Sequence, residues 1–163
     1  MKSKWALAVV VGLIGVAVYA ANVLATPGSG FAAAQQWKGV FEDIDVHVND
    51  MPRHQVKISA RGRSDVYVTR NAIAVGGHSG WHTHPGPSLI IVTVGSVTAY
   101  EGDDPTCTGT VYEAGQGFVD PGDGHVHLLR NESGAPAETV AVQFLPKDAT
   151  RRIDAPAPGG CGF

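Results

Sequence analysis

Gly76-Gly77-His78-Ser79-Gly80-Trp81-His82-Thr83-His84-Pro85-Gly86-Pro87-Ser88 runs straight into Leu89-Ile90-Ile91-Val92-Thr93-Val94 and stops at Gly95. A glycine-rich approach, a histidine pair and an unbroken apolar run rich in β-branched residues read together as the entry to a buried sheet. A strand sends side chains i and i+2 to one face, so His82 and His84 look the same way. Further along, His125-Val126-His127 repeats that spacing. Where both segments face one interior, neutral imidazole nitrogens converge, a donor set suited to a transition metal.

Outward from this stretch the chain is a series of short β-type runs separated by turn residues. Val56–Ile58, Val66–Val75, Leu89–Val94, Val97–Tyr100, Thr110–Glu113, Phe118–Asp120, Val126–Arg130 and Thr139–Leu145 are the expected strands. Trp37–Val48 is either a further strand or an N-terminal arm. Gly95-Ser96 is expected to make a hairpin turn between its neighbours. Only Ala149–Ile153 or the segment before Trp37 has room for a helical turn. With 21 glycines, 10 prolines and 17% charged residues in 163, the composition suits a turn-rich all-β sandwich or barrel. A net charge of −3 offers no basic surface for nucleic acid.

Residues 1–25 stand apart from the fold. Lys2 and Lys4 precede an apolar stretch from Trp5, and Val18-Tyr19-Ala20 and Val23-Leu24-Ala25 carry small residues at cleavable spacings. Two readings are kept: a cleaved secretory signal peptide, or an uncleaved anchor approaching the ~20 residues that span a bilayer. Both place the domain outside the cytoplasm, secreted or membrane-anchored. Thr26–Gln36, with Pro27, Gly28, Ser29 and Gly30 ahead of an alanine run, reads as a linker (26–36). The barrel is expected over 37–154, followed by a Pro/Gly-rich tail (155–163). In an oxidising compartment Cys107 and Cys161 are expected to pair and pin that tail.

The histidine segments carry a family resemblance. Gly76-x5-His82-x-His84-x3-Ser88-x6-Gly95 resembles the first motif of the cupins, with Ser88 where the family has glutamate. Gly115-x5-Pro121 followed by Gly124-x2-His127-x3-Asn131 resembles the second, with one extra residue between proline and glycine. The resemblance implies a small jelly-roll barrel whose His82, His84 and His127 hold one divalent transition metal (Fe, Mn, Zn, Ni or Cu). A serine hydroxyl is a poor substitute for a carboxylate, so the implied site is a three-histidine one. Similar cupin oxygenases cleave diketones or oxidise thiols with three histidines and no acid.

Other residues are read more simply. His125 is a candidate fourth ligand, outer partner of a ligand or proton shuttle, with a solvent-facing rim histidine as the alternative. Ser88 is the other candidate near the metal. His78 reads as a polar loop residue, and His47 and His54 lie outside both motifs. Trp81 is either a platform at the barrel mouth or packing. Asp43, Asp45, Asp103, Asp104, Asp120 and Asp123 read as solvated loop residues. No Gly-x-Ser-x-Gly elbow and no phosphate-cradling loop leading into a helix occur. A metal-dependent, dioxygenase-like enzyme acting on a small organic molecule and a non-catalytic metal- or ligand-binding module with an apolar interior both fit. Cupin barrels often dimerise, so a homodimer is a further expectation.

Overall fold

The computed structural model describes residues 25–51 and 54–163. The leader read over 1–25 therefore lies outside the described residues, except for Ala25. Twelve strands and no helix make up the described residues: β1 (Ser29–Phe41), β2 (Ile44–Met51), β3 (His54–Ala60), β4 (Ser64–His78), β5 (His82–Thr83), β6 (Ser88–Val94), β7 (Ser96–Glu101), β8 (Thr110–Glu113), β9 (Gly117–Asp120), β10 (His127–Arg130), β11 (Ala137–Pro146) and β12 (Ile153–Asp154).

Antiparallel pairing builds two five-stranded faces. One runs β1-β4-β11-β6-β9 and the other β12-β5-β10-β7-β8. The end of β4 joins them, where His78 pairs with Arg130 of β10. This is the jelly-roll arrangement expected above, an all-β barrel that is nearly closed. β2 and β3 pair only with each other and form a separate hairpin.

Alternation along β6 and β11 shows how the barrel selects its interior. Ser88, Ile90 and Val92 of β6 are buried, whereas Leu89 and Ile91 are exposed. On β11 the pattern inverts chemically: Thr139, Ala141 and Gln143 are buried while Val140, Val142 and Phe144 are only partly so. Asn71 of β4 donates from Nδ2 to Thr139 Oγ1 (3.1 Å), which satisfies part of this polar wall. The interior is thus partly polar, and two apolar clusters pack within it. Ile73, Val92, Val97 and Ala137 form one, and Trp81, Tyr100, Leu128, Ala155 and Cys161 the other. Full burial of a side chain such as Ile73 or Val92 stabilises the fold by roughly 1.5–3 kcal/mol.

Three sequence expectations are corrected. Residues 26–36 are no linker: β1 starts at Ser29 and lies along β4, and Thr26 Oγ1 accepts from the Trp81 amide (2.9 Å). Small side chains with little apolar periodicity concealed an edge strand whose hydrogen bonds are made by backbone. Gly95-Ser96 is no hairpin turn, because β6 pairs with β9 and β11 but β7 with β8 and β10. The chain crosses there from one face to the other; Gly95 has φ +68°, and an added Cβ would sit 2.8 Å from the Pro136 carbonyl. The helical turn allowed at Ala149–Ile153 is absent, and Ile153 starts β12 instead.

Cys107 and Cys161 form a disulfide with a Cα–Cα distance of 5.3 Å. The tail it holds is packed rather than loose. The Ala155 amide donates to the Trp81 carbonyl (2.9 Å), and the Phe163 ring stacks on Trp81 at 6.5 Å. Trp81 is completely buried in that cluster, so it is packing and not a ligand platform.

Candidate metal centre

β5 and β10 lie side by side, with His127 paired directly to His82. His84 follows β5 by one residue and keeps its i+2 relation to His82. All three side chains are buried, at 6–7% exposure. Their rings stand 4.3 Å (His82–His127), 4.8 Å (His82–His84) and 5.4 Å (His84–His127) apart, centroid to centroid. One ring nitrogen from each lies within 4.8 Å of the other two.

The remaining ring nitrogens are held from behind. His82 Nδ1 faces the Gly80 carbonyl at 2.8 Å and His84 Nδ1 the Arg151 carbonyl at 2.5 Å. A carbonyl oxygen only accepts, so each Nδ1 carries the hydrogen and each Nε2 keeps its lone pair. His127 Nδ1 lies 3.4 Å from both the His125 carbonyl and Asp120 Oδ1. Such outer partners fix the tautomer and aim the ring, as at metal-ligating histidines generally.

Burial also keeps these rings uncharged. Desolvation, helped by His127 and Arg152, pushes the pKa of His82 down to about 2. Desolvation pulls His127 down to about 4 despite the opposing pull of Asp120, and burial lowers His84 as well. Neutral imidazoles are the form that binds a divalent ion. The unfolded chain protonates these rings below the ordinary value of 6.5, whereas the fold refuses the protons until about 4 and about 2. Their contribution to stability is complete above that value and declines as pH falls toward the folded values. The urea midpoint of metal-free protein is therefore expected to be lower at about pH 5 than at about pH 7.5, and an unchanged midpoint would contradict the neutral cluster.

Asp120 is the residue that the sequence reading missed. Taken as a solvated loop acid, it is instead buried at the end of β9, at 4% exposure, directly opposite Ser88 of β6. Ser88 Oγ donates to Asp120 Oδ2 at 3.4 Å and accepts from Gln143 Nε2 at 3.0 Å, and Gln143 Oε1 accepts from Arg151 Nη1 at 2.9 Å. A hydrogen-bonded line thus runs from Arg151 through Gln143 and Ser88 to Asp120, whose Oδ1 stands 3.4 Å from His127 Nδ1. Ser88 has no acid to offer, but its neighbour across the ladder does. A signal was present: Phe118 and Asp120 alternate on one face of a short strand, and a missing acid at 88 invites a search of adjacent strands.

The turn after Asp120 explains the extra motif residue. Gly122, Asp123 and Gly124 all have positive φ (+69°, +53° and +86°). A Cβ on Gly122 would stand 2.2 Å from the Gly86 carbonyl oxygen, and the Gly122 amide donates to Asp120 Oδ1 at 3.0 Å. The turn therefore packs against the His84–Ser88 loop while it holds the carboxylate.

His125 belongs to this turn and not to β10, which begins at His127. It does not join the three clustered rings. Its Nε2 lies 3.1 Å from Glu101 Oε2 and its Nδ1 3.7 Å from Asp120 Oδ1, in a second cluster of Asp120, His125 and His127. A fourth-ligand role beside His82 and His84 is thereby replaced by a place on the outer side of His127. His78 ends β4, where its Nδ1 accepts from the Gly80 amide (3.2 Å); His47 and His54 sit on the β2–β3 hairpin.

The triad opens on a cavity of about 300 Å³, walled by His82, His84 and His127 together with Thr69, Asn71, Ser88, Ile90, Phe118, Asp120, Thr139, Gln143, Arg151 and others. Residues of both motifs, from separate segments of a jelly roll, converge at one end of one cavity in the order and spacing read from the sequence. The fold is a nearly closed, all-β jelly-roll barrel.

The sequence matches no protein-family model and no curated protein. Solved structures similar to this barrel include an uncharacterised protein with a double-stranded beta-helix domain from Klebsiella pneumoniae (23% identity, 70% of this chain and 84% of that one, TM-score 0.45). Others are an oxalate oxidase (25% identity, 54% and 45%, TM-score 0.46) and the polyketide cyclase RemF from Streptomyces resistomycificus (17% identity, 57% and 63%, TM-score 0.46). The chain spans less than half the length of several structures that it matches.

Proposed function

We propose that this exported cupin binds one divalent transition metal through His82, His84 and His127 and uses it in dioxygenase-type chemistry on a small organic molecule. The observation that carries the reading is the triad itself: three buried, neutral imidazoles with each Nδ1 engaged from behind and their other nitrogens clustered at the head of a cavity. A bound redox metal would supply dioxygen binding or polarisation of a carbonyl at positions that three protein ligands leave open.

The chain's own residues supply the rest. Asp120 and the backbone carbonyls aim the rings. Phe118 and Ile90 give the cavity an apolar side, and the polar wall of β4 and β11 orients the substrate. His125, whose Nε2 lies 3.1 Å from Glu101 Oε2, is the candidate proton carrier on the outer side of His127.

The test is elemental analysis of the purified protein, then oxygen-uptake assays of the Fe(II)-loaded form with diketones, phenolics and thiols. Iron-dependent uptake with one of these classes is the expected result. Stoichiometric metal with no uptake in any class would instead favour a non-catalytic metal- or ligand-binding module.

Export rests on the leader pattern, and the N-terminal mass of the mature protein tests it: cleavage after Ala20 or Ala25 supports secretion, and an intact Met1 supports an anchor. A homodimer is proposed on the outward apolar residues Leu89, Ile91 and Val119 of β6 and β9, and a monomer in sedimentation would oppose it.

Asp120→Asn keeps the shape and removes the charge behind His127. Metal affinity is expected to fall about 10- to 100-fold while the fold is retained, as measured by competition with a chelating dye. Unchanged affinity would remove Asp120 from the metal's support.

A further inference from the structure

Four charged side chains stand on the cavity wall: Asp120, Arg151, Arg152 and Asp154. Three are already answered. Arg152 Nε is 2.6 Å from Asp154 Oδ1, and its Nη2 donates to the Ser79 carbonyl at 2.8 Å. Asp120 is held by Ser88, the Gly122 amide and His127. Arg151 differs. Among the described residues no carboxylate lies within 4.0 Å of its guanidinium, and its side-chain hydrogen bond goes to a neutral amide oxygen, Gln143 Oε1.

Position gives that free charge a purpose. The Arg151 main-chain carbonyl accepts from His84 Nδ1, so the residue is anchored to the triad by its own backbone. Thr69, on the same cavity wall, has a buried hydroxyl with no partner. The wall's two cations and two anions cancel; a divalent ion on the three neutral histidines would leave the cavity with two positive charges in excess. A partly desolvated guanidinium beside such an excess favours a planar anion, for which its fork of N–H donors is matched.

We infer that the cavity is a binding site for a small organic carboxylate, whose charged group is received by Arg151 at the edge of the histidine triad. The inference deepens the metal-centre reading and rests on it for the excess charge. Arg151, though, faces the cavity with or without metal. The polar residues of β4 and β11 receive the remainder of the ligand, and Phe118 and Ile90 take its apolar part.

Benzoate and benzamide test this, being nearly the same in shape and different in charge, and small beside a cavity of about 300 Å³. Zinc-loaded and metal-free protein are each titrated calorimetrically with both. The zinc-loaded wild type is expected to bind benzoate at least about tenfold tighter than benzamide. Arg151→Gln should cut that preference by weakening benzoate alone, and Arg151→Lys should keep more of it, each compared with wild type at equal zinc occupancy. Equal binding of the two probes by wild type, or full benzoate affinity in a folded Arg151→Gln, overturns the inference even if zinc binds stoichiometrically. If zinc does not bind, the metal reading fails separately, and the metal-free titration decides: a benzoate preference lost in Arg151→Gln retains the anion site, and no preference removes it.

Discussion

His84→Ala is expected to leave a folded protein that no longer holds metal in stoichiometric amount, with affinity lowered by well over about a hundredfold. Truncation at this position removes one of three nitrogens from the cluster and frees the Arg151 carbonyl that oriented it. It also makes a cavity larger in a place that is already open, so the cost to the fold should be modest. The measurement is elemental analysis after dialysis, alongside circular dichroism to establish folding. Wild-type metal content in the variant would mean that the ion, if any, sits elsewhere. The second cluster of Asp120, His125 and His127 is then the place to look.

The largest expected effect on stability comes from the disulfide. Replacing Cys107 and Cys161 together by serine opens a loop closed across a sequence separation of 54 residues. The chain-entropy model puts this at about 4 kcal/mol, which for a domain of this size lowers Tm by roughly 10 °C. Function should suffer with it. The pinned tail carries Ala155, whose amide donates to the Trp81 carbonyl immediately before His82, and Phe163, which covers Trp81 and Tyr100. Loss of the crosslink is therefore expected to weaken metal binding as well as the fold. Thermal melts of the double variant against wild type check the first effect, and chelator competition checks the second. A Tm within about 2 °C of wild type would show that packing alone secures the tail.

What could be read in advance, and what could not, divides along a physical line. His82 and His84 were legible from their i, i+2 spacing and His127 from the motif resemblance, whereas strand alternation misplaced His125, which lies in the turn before β10. The disulfide was legible from cysteine count and an inferred compartment. Asp120 was not, because its importance lies across the ladder: its partner Ser88 is 32 positions away in sequence. The first part of β1, Ser29–Gln36, escaped because apart from Phe31 it is glycine, alanine, serine and glutamine with no hydrophobic period, whereas Trp37–Phe41 falls in the stretch read as a strand or arm. Gly95 misled because a glycine between two β-runs marks a hairpin and a crossing between faces equally well; only long-range pairing tells them apart. β11 reversed the usual polarity, sending Thr139 and Gln143 inward and Val140, Val142 and Phe144 outward. Such an inversion stands out once a cavity is known to lie behind it.

The most direct measurement is X-ray absorption at the metal edge of the protein as purified, with metal per chain determined on the same sample. The prediction is one transition metal per chain in a shell of nitrogen and oxygen donors near 2.0–2.2 Å, with the multiple-scattering pattern of about three imidazoles. Folded, disulfide-bonded protein that holds no metal even after reconstitution, or a metal shell without imidazole, would contradict it.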